Sequence, residues 1–128
     1  MPIPQGKNAL MIAASNDKPN IVKRLLKAGA NVNQAIVADG HTALSIASEQ
    51  GHTDVVRVLL RQPQVGLNNF YRSSLMLAAT KGHVDIVELL LQHEAMKEEF
   101  SDTLMGPSAL ILAAENNRLD VVVRLSMP

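Results

Sequence analysis

Apolar residues in this 128-residue chain recur at one fixed spacing, and the spacing occurs four times. Leu10, Leu44, Leu75 and Leu110 each lead a copy. Three residues after each comes an alanine (Ala13, Ala47, Ala78, Ala113), and fifteen residues after each comes another leucine (Leu25, Leu59, Leu90, Leu125). The steps between the leading leucines are uneven, at 34, 31 and 35 residues. Regular spacing within copies and irregular spacing between them is the signature of a stacked array whose units share one packing scheme.

Each copy predicts two helices. Leu10, Ala13 and Ala14 fall at i, i+3 and i+4, on one helical face, and the alanines let neighbouring helices approach closely. Asn8, Thr42, Ser73 and Ser108 precede these stripes and can accept from the free amides of a helix N-terminus. Seven residues after each leading leucine stand Asp17, Gly51, Gly82 and Asn117, the residue types that best tolerate the left-handed conformation ending a helix. A second stripe follows: Ile21, Val22, Leu25 and Leu26; Val55, Val56, Leu59 and Leu60; Ile86, Val87, Leu90 and Leu91; then Val121, Val122 and Leu125 with Ser126 last. One such unit cannot bury both of its apolar faces, so the units must stack into an all-α solenoid.

These residues resemble the ankyrin repeat. Its opening Thr-Pro-Leu-His-x-Ala is similar to Thr42-Ala43-Leu44-Ser45-Ile46-Ala47. Its Gly-His-x-Asp-Val-Val is matched in full from Gly51 to Val56 and nearly so from Gly82 to Val87. Gly29-Ala30-Asn31-Val32-Asn33 and Asp39-Gly40-His41-Thr42 look like the two sides of the family's hairpin loop. The resemblance covers about residues 5–126. It implies one ankyrin-repeat domain over 1–128, with helix-turn-helix units at about 5–37, 38–68, 69–103 and 104–128 joined by short β-hairpin-like loops. The chain departs from the pattern at every helix opening, where Met11, Ser45, Met76 and Ile111 occupy the histidine place. The family's Thr–His bonding is therefore lost, and apolar packing is expected to replace it. Pro63 and Glu94 stand where Gly29 does, and Tyr71 where Gly40 and Gly106 do, so the second and third connectors are expected to depart most.

Composition narrows the chemistry. Twelve basic and twelve acidic residues leave no net charge to attract a polyanion or an anionic membrane, so neither nucleic acid nor membrane insertion is expected. The absence of cysteine excludes disulfides and thiolate catalysis and fits a reducing cytosol, or a host cytosol for a secreted effector. Apolar runs such as Ala9 to Ala14 are far short of a spanning helix, and no signal peptide is expected from Met1 to Lys7. His52 and His83 share one slot of successive copies, which favours helix-start bonding over metal binding. Asp54, Asp85 and Asp120 share another, at the start of the second helices, where they complement the helix dipole. Phosphate loops, zinc-helix motifs and nucleophile elbows are absent from the sequence, so no catalytic residue, metal or cofactor is expected.

What remains is a surface. The resemblance puts binding on hairpin tips and on exposed positions of the first helices. In the first copy these are Gln5, Lys7, Ser15 and Asn16; in the second, Ala38, Asp39, His41, Glu49 and Gln50; in the third, Asn69, Phe70, Arg72, Thr80 and Lys81; in the fourth, Met105, Pro107, Glu115 and Asn116. Their mixed signs suit a protein partner. Phe70, Tyr71 and Arg72 bring two of the three aromatics and an arginine together in a connector, the residue types that dominate binding hot spots. The competing reading folds Phe70 or Tyr71 inward to brace a shortened hairpin. Met96, Phe100 and Leu104 recur every four residues in the longest connector, as a short amphipathic turn on the stack or as a partner-binding finger around Phe100. Asn33 after Val32 is a weakly specified candidate for side-chain hydroxylation. The end copies keep apolar residues: Met11, Ile12, Ile21 and Leu25 in the first, and Val121 to Val123 in the last beside Arg124 and Ser126. The expectation is a protein–protein interaction module that is part of a longer chain, or whose ends self-associate or meet further repeats. A regulatory or targeting segment of a larger enzyme or secreted effector is the alternative; catalysis by the domain itself is the remaining one.

Overall fold

A computed structural model of the protein describes residues 8–36, 40–63, 65, 70–93, 111 and 113–126; the side chains of residues 70–73 and 125–126 lie outside that description. The helices are α1 (Ala9–Ser15), α2 (Pro19–Lys27), α3 (Ala43–Gln50), α4 (Thr53–Leu60), α5 (Phe70–Lys81), α6 (Val84–Gln92) and α7 (Leu119–Ser126). Residues 111 and 113–115 are also helical.

Local chemistry accounts for most boundaries. Asn8 Oδ1 accepts from the Met11 N–H at 2.9 Å, capping α1. At α3, Thr42 Oγ1 accepts from the Ser45 N–H at 3.2 Å while Ser45 Oγ accepts from the Thr42 N–H at 2.8 Å. Two orphan amides are thus satisfied reciprocally. Ser45 therefore takes over the bonding expected to be lost with the family histidine. In this repeat a hydroxyl replaces it, not apolar packing.

All four helix-ending residues adopt the left-handed conformation: φ is 56° at Asp17 and Asn117, 80° at Gly51 and 77° at Gly82. That reversal lets the next N–H close the turn onto the alanine carbonyl of the same repeat. The bonds run from Lys18 to Ala13, His52 to Ala47, His83 to Ala78 and Arg118 to Ala113, at 3.0, 3.0, 2.9 and 2.8 Å. Each is the six-residue bond of a helix-terminating motif. The second helices then start with Asp54, Asp85 and Asp120 in their first turns, where a carboxylate favours the dipole.

The helices stack in two layers. First helices α1, α3 and α5 pack in sequence, and second helices α2, α4, α6 and α7 pack beside them. The buried alanines Ala13, Ala14, Ala47, Ala78, Ala79 and Ala113 set the close spacing of the first layer. Val22, Val56 and Val87 are fully buried in the second, each worth about 1.5–3 kcal/mol relative to exposure. Arg124 Nε pairs with Glu88 Oε1 at 2.6 Å, so the arginine that breaks the last apolar stripe ties the fourth repeat to the third.

Described connector residues contribute to the core. No strand occurs among the described residues. In the first connector the Ile36 N–H donates to the His41 carbonyl at 2.8 Å and the Gly40 N–H to the Ile36 carbonyl at 2.7 Å, a hairpin-like closure. Val32 and Ile36 are buried there, and Val65 is buried in the second connector. The third repeat corrects the sequence reading. Phe70, Tyr71 and Arg72 are not in a connector; they form the first turn of α5, which runs through Ser73 and spans 12 residues against 7 in α1 and 8 in α3. Nothing between Phe70 and Ser73 breaks a helix, and serine is tolerated inside one, so the helix extends past the cap position assigned to Ser73.

Candidate functional site

The C-terminal ends of the first helices form a row: Ser15 and Asn16 in the first repeat, Glu49 and Gln50 in the second, Thr80 and Lys81 in the third, Glu115 and Asn116 in the fourth. A ladder of hydrogen bonds between repeats holds this row. His52 Nε2–H donates to the Ser15 carbonyl at 3.1 Å, His83 Nε2–H to the Glu49 carbonyl at 3.0 Å, and Arg118 Nε–H to the Thr80 carbonyl at 3.0 Å. Each donor is the residue following a left-handed turn, and each acceptor lies at the same slot of the preceding repeat. These carbonyls belong to the last turns of their helices, where backbone acceptors lack intrahelical partners.

This geometry revises the role expected of His52 and His83. Neither side chain caps its own helix. Both reach back to the preceding repeat and lock the stack. The reaching side chains also crowd the two turn glycines. A Cβ on Gly51 would lie 2.7 Å from His83 Cε1, and one on Gly82 would lie 2.8 Å from Arg118 Cδ. At the first joint the turn residue is Asp17, whose Oδ2 sits 3.8 Å from His52 Nδ1. A fourth histidine adds a bond in the second layer, with His93 Nε2–H donating to the Leu60 carbonyl at 3.2 Å.

Of the residues singled out in the sequence, Ser15, Asn16, Glu49, Gln50, Thr80, Lys81, Glu115 and Asn116 share this row. Gln50 and Lys81 are exposed, and Glu49 and Thr80 half-buried. Ser15 Oγ–H donates to Gln50 Oε1 at 3.3 Å, linking two of its rungs. His41 is half-buried at the foot of α3, its Nδ1 sharing a hydrogen bond with Ser45 Oγ at 2.9 Å. Phe70, Tyr71 and Arg72 begin α5, at the opposite end of that helix from Thr80 and Lys81. Gln5, Lys7, Ala38, Asp39, Asn69, Phe100, Met105 and Pro107 lie outside the described residues.

A second surface feature was not singled out in the sequence. A groove of about 540 Å³ runs between α2 and α4 and is lined by Lys23, Arg24, Lys27 and Arg61 with Leu26 and Val58. Its signal was legible: Lys27 and Arg61 share one slot of successive repeats, and α2 carries no acid. Among the described residues, no group of histidines and carboxylates could hold a metal ion. No described helix is long and apolar enough to cross a membrane.

Two comparisons follow from this geometry. The family model described as ankyrin repeats (3 copies) matches residues 2–69 and 63–127. The chain is also 40% identical, over 73 residues, to the ankyrin repeat and KH domain-containing protein mask-1 of Caenorhabditis elegans, a match covering 52% of this chain and 3% of that protein. The chain therefore spans a small fraction of this relative's length. The left-handed turns, the paired helix layers and the family match agree: the chain belongs to the ankyrin repeat family. Ankyrin repeats are generally non-catalytic protein–protein interaction modules, and they bind protein partners.

Proposed function

We propose that this protein binds a protein partner, without catalysis of its own, across the row of first-helix ends and the adjoining connectors. The observation that carries the reading is the row itself. Its exposed groups are amides, an ammonium and a carboxylate, on Asn16, Gln50, Lys81, Glu115 and Asn116, while the ladder bonds the backbone at Ser15, Glu49 and Thr80. A pre-ordered polar surface of mixed sign favours specific protein recognition, because little conformational entropy is lost on binding. Phe70 and Arg72 begin α5, at the opposite end of that helix from the row, and are residue types that anchor binding hot spots. The cysteine-free sequence suits a reducing cytosol as the site of action.

The test is affinity capture from cell extract, comparing the native chain with a Glu49→Arg/Lys81→Glu variant and with a Phe70→Ala/Arg72→Ala variant. A partner retained by the native chain and lost by the first variant supports the row. Equal recovery by all three removes it. A second reading makes the domain a regulatory or targeting segment of a larger enzyme or secreted effector. It is favoured by the small share of the similar Caenorhabditis elegans protein that the chain covers, and the length of the native gene product tests it.

A further inference from the structure

We propose that the groove between α2 and α4 is a second docking surface, one that takes an acidic peptide segment of a protein partner with an aliphatic side chain among its carboxylates. The groove lies in the second layer of helices, apart from the row of first-helix ends, so the two surfaces stand or fall separately. Lys23, Arg24, Lys27 and Arg61 are exposed around it. Half-buried Leu26 and buried Val58 give it an apolar floor.

The cations of this groove are left unbalanced. α2 carries no acid, and α4 carries one, Asp54. Arg57 Nη1–H donates to Asp54 Oδ1 at 3.2 Å, so that carboxylate is engaged by a cation that does not line the groove. Among the described residues, none of the four groove cations has a carboxylate partner. The joint between the third and fourth repeats is built differently. There Glu88 reaches across to Arg124 at 2.6 Å. In the joint between the first and second repeats, Lys23 occupies the slot of Glu88 and Val58 that of Arg124. The later joint supplies its own carboxylate; the earlier one places a cation beside an apolar side chain and is complementary to a carboxylate from outside.

Charge and shape together select the occupant. Lys27 and Arg61 share one slot of adjacent repeats, on helices whose axes pack about 8–10 Å apart, so carboxylates are met from both walls. Arg24 and Arg61 add guanidinium forks, which match a carboxylate with two parallel hydrogen bonds. Four cations gathered in a chain of zero net charge create a local field that draws an acidic segment to this place on the surface. The floor then decides between anions. At about 540 Å³ the groove has room for an aliphatic side chain against Leu26 and Val58. A nucleic-acid backbone has no such group to offer, and the headgroup plane of a bilayer does not reach the floor of a groove between two helices. An acidic peptide satisfies both walls and floor.

Calorimetric titration of the native chain with a short peptide of glutamate and aspartate around a central leucine tests this. Binding is expected at low salt and is expected to weaken as salt rises. Replacing the leucine by serine is expected to weaken it at least about fivefold, through the loss of apolar burial. Lys27→Glu/Arg61→Glu is expected to weaken it at least about tenfold, by exchanging attraction for like-charge repulsion. Both side chains are exposed, and circular dichroism checks the helices of the variant. Lys27→Gln/Arg61→Gln removes the charges without reversing them and is expected to lose about threefold or more, which keeps the test open if the reversal disturbs the fold. Arg57→Gln deletes a cation already held by Asp54 outside the groove and is expected to bind as the native chain does. No binding by the native chain overturns the proposal. So does equal affinity for a peptide with glutamine and asparagine in place of the acids, or an equal loss in Arg57→Gln and the groove variants. Vesicles of phosphatidylcholine and phosphatidylserine probe the lipid alternative: tighter binding to them than to the peptide, lost in the same groove variants, overturns it as well.

Discussion

The first and second repeats carry nearly the same apolar stripe and live in different environments. Ile21 and Leu25 in α2 correspond to Val55 and Leu59 in α4. Val55 and Leu59 are fully buried, while Ile21 is 51% exposed and Leu25 half-buried. Helical periodicity therefore specifies which residues point toward a joint, but only a neighbouring repeat makes the joint. In a linear array each repeat gains stability from the interfaces on its two sides, and an end repeat has one.

Leu59→Ala against Leu25→Ala tests that comparison most severely. Leu59→Ala deletes a fully buried side chain between repeats and is expected to cost about 2–5 kcal/mol, read as a fall in denaturation midpoint. The same change at Leu25 is expected to cost less than half as much, because part of that side chain is already in water. Equal losses would break the distinction between interior and end repeats.

The turns sharpen the comparison at the next level of energy. Asp17 and Gly51 occupy one slot and share a left-handed φ, but only Gly51 lies where an added Cβ would press on the next ring. Gly51→Ala is expected to lose about 1–2 kcal/mol from the left-handed backbone, plus the cost of displacing His83. Gly51→Asp copies the arrangement of the first joint and is expected to cost less, since aspartate tolerates this conformation better than alanine. An alanine variant as stable as the aspartate variant would show that space, rather than φ, sets the requirement.

Legibility in the sequence follows the same physics. The turn residues could be read because few residue types accept a positive φ, so Asp17, Gly51, Gly82 and Asn117 stand out at constant spacing. The partners of His52 and His83 could not, because they bond to backbone carbonyls, which every residue carries and no sequence pattern marks. Arg118 hid the ladder further by filling a histidine slot with a different donor. The bonding role of Ser45 was masked by comparison with the family histidine, although its position three residues after Thr42 permits a reciprocal cap. The start of α5 was misplaced because Ser73 is a plausible cap in isolation, while helix extension to Phe70 depends on the surroundings of the whole segment. For the row itself, slot equivalence sufficed to pair Glu49 with Thr80 and Gln50 with Lys81; their rigidity was not visible until the ladder was.

Removing one rung isolates the ladder from the apolar joint. His83→Ala deletes the bond to the Glu49 carbonyl and leaves the glycine turn in place. The expected loss is about 0.5–1.5 kcal/mol, the net worth of an ordinary intramolecular hydrogen bond. Hydrogen exchange at amides near the C-terminus of α3 is expected to rise with it. A larger loss spread over all repeats would mean that the ring acts mainly by packing over Gly51.

Surface residues of the row should separate stability from recognition. Lys81→Ala and Gln50→Ala remove exposed side chains from the ends of α5 and α3, and each is expected to change stability by no more than about 0.5 kcal/mol. Lys81 is the more informative of the two, because its neighbour Thr80 receives the Arg118 rung through the backbone, which a side-chain truncation at Lys81 does not touch. The variant should therefore melt with the native protein and lose only contacts that the ammonium makes to a partner. A melting temperature several degrees lower would place Lys81 in the scaffold and shift the search for a binding face toward the basic groove between α2 and α4.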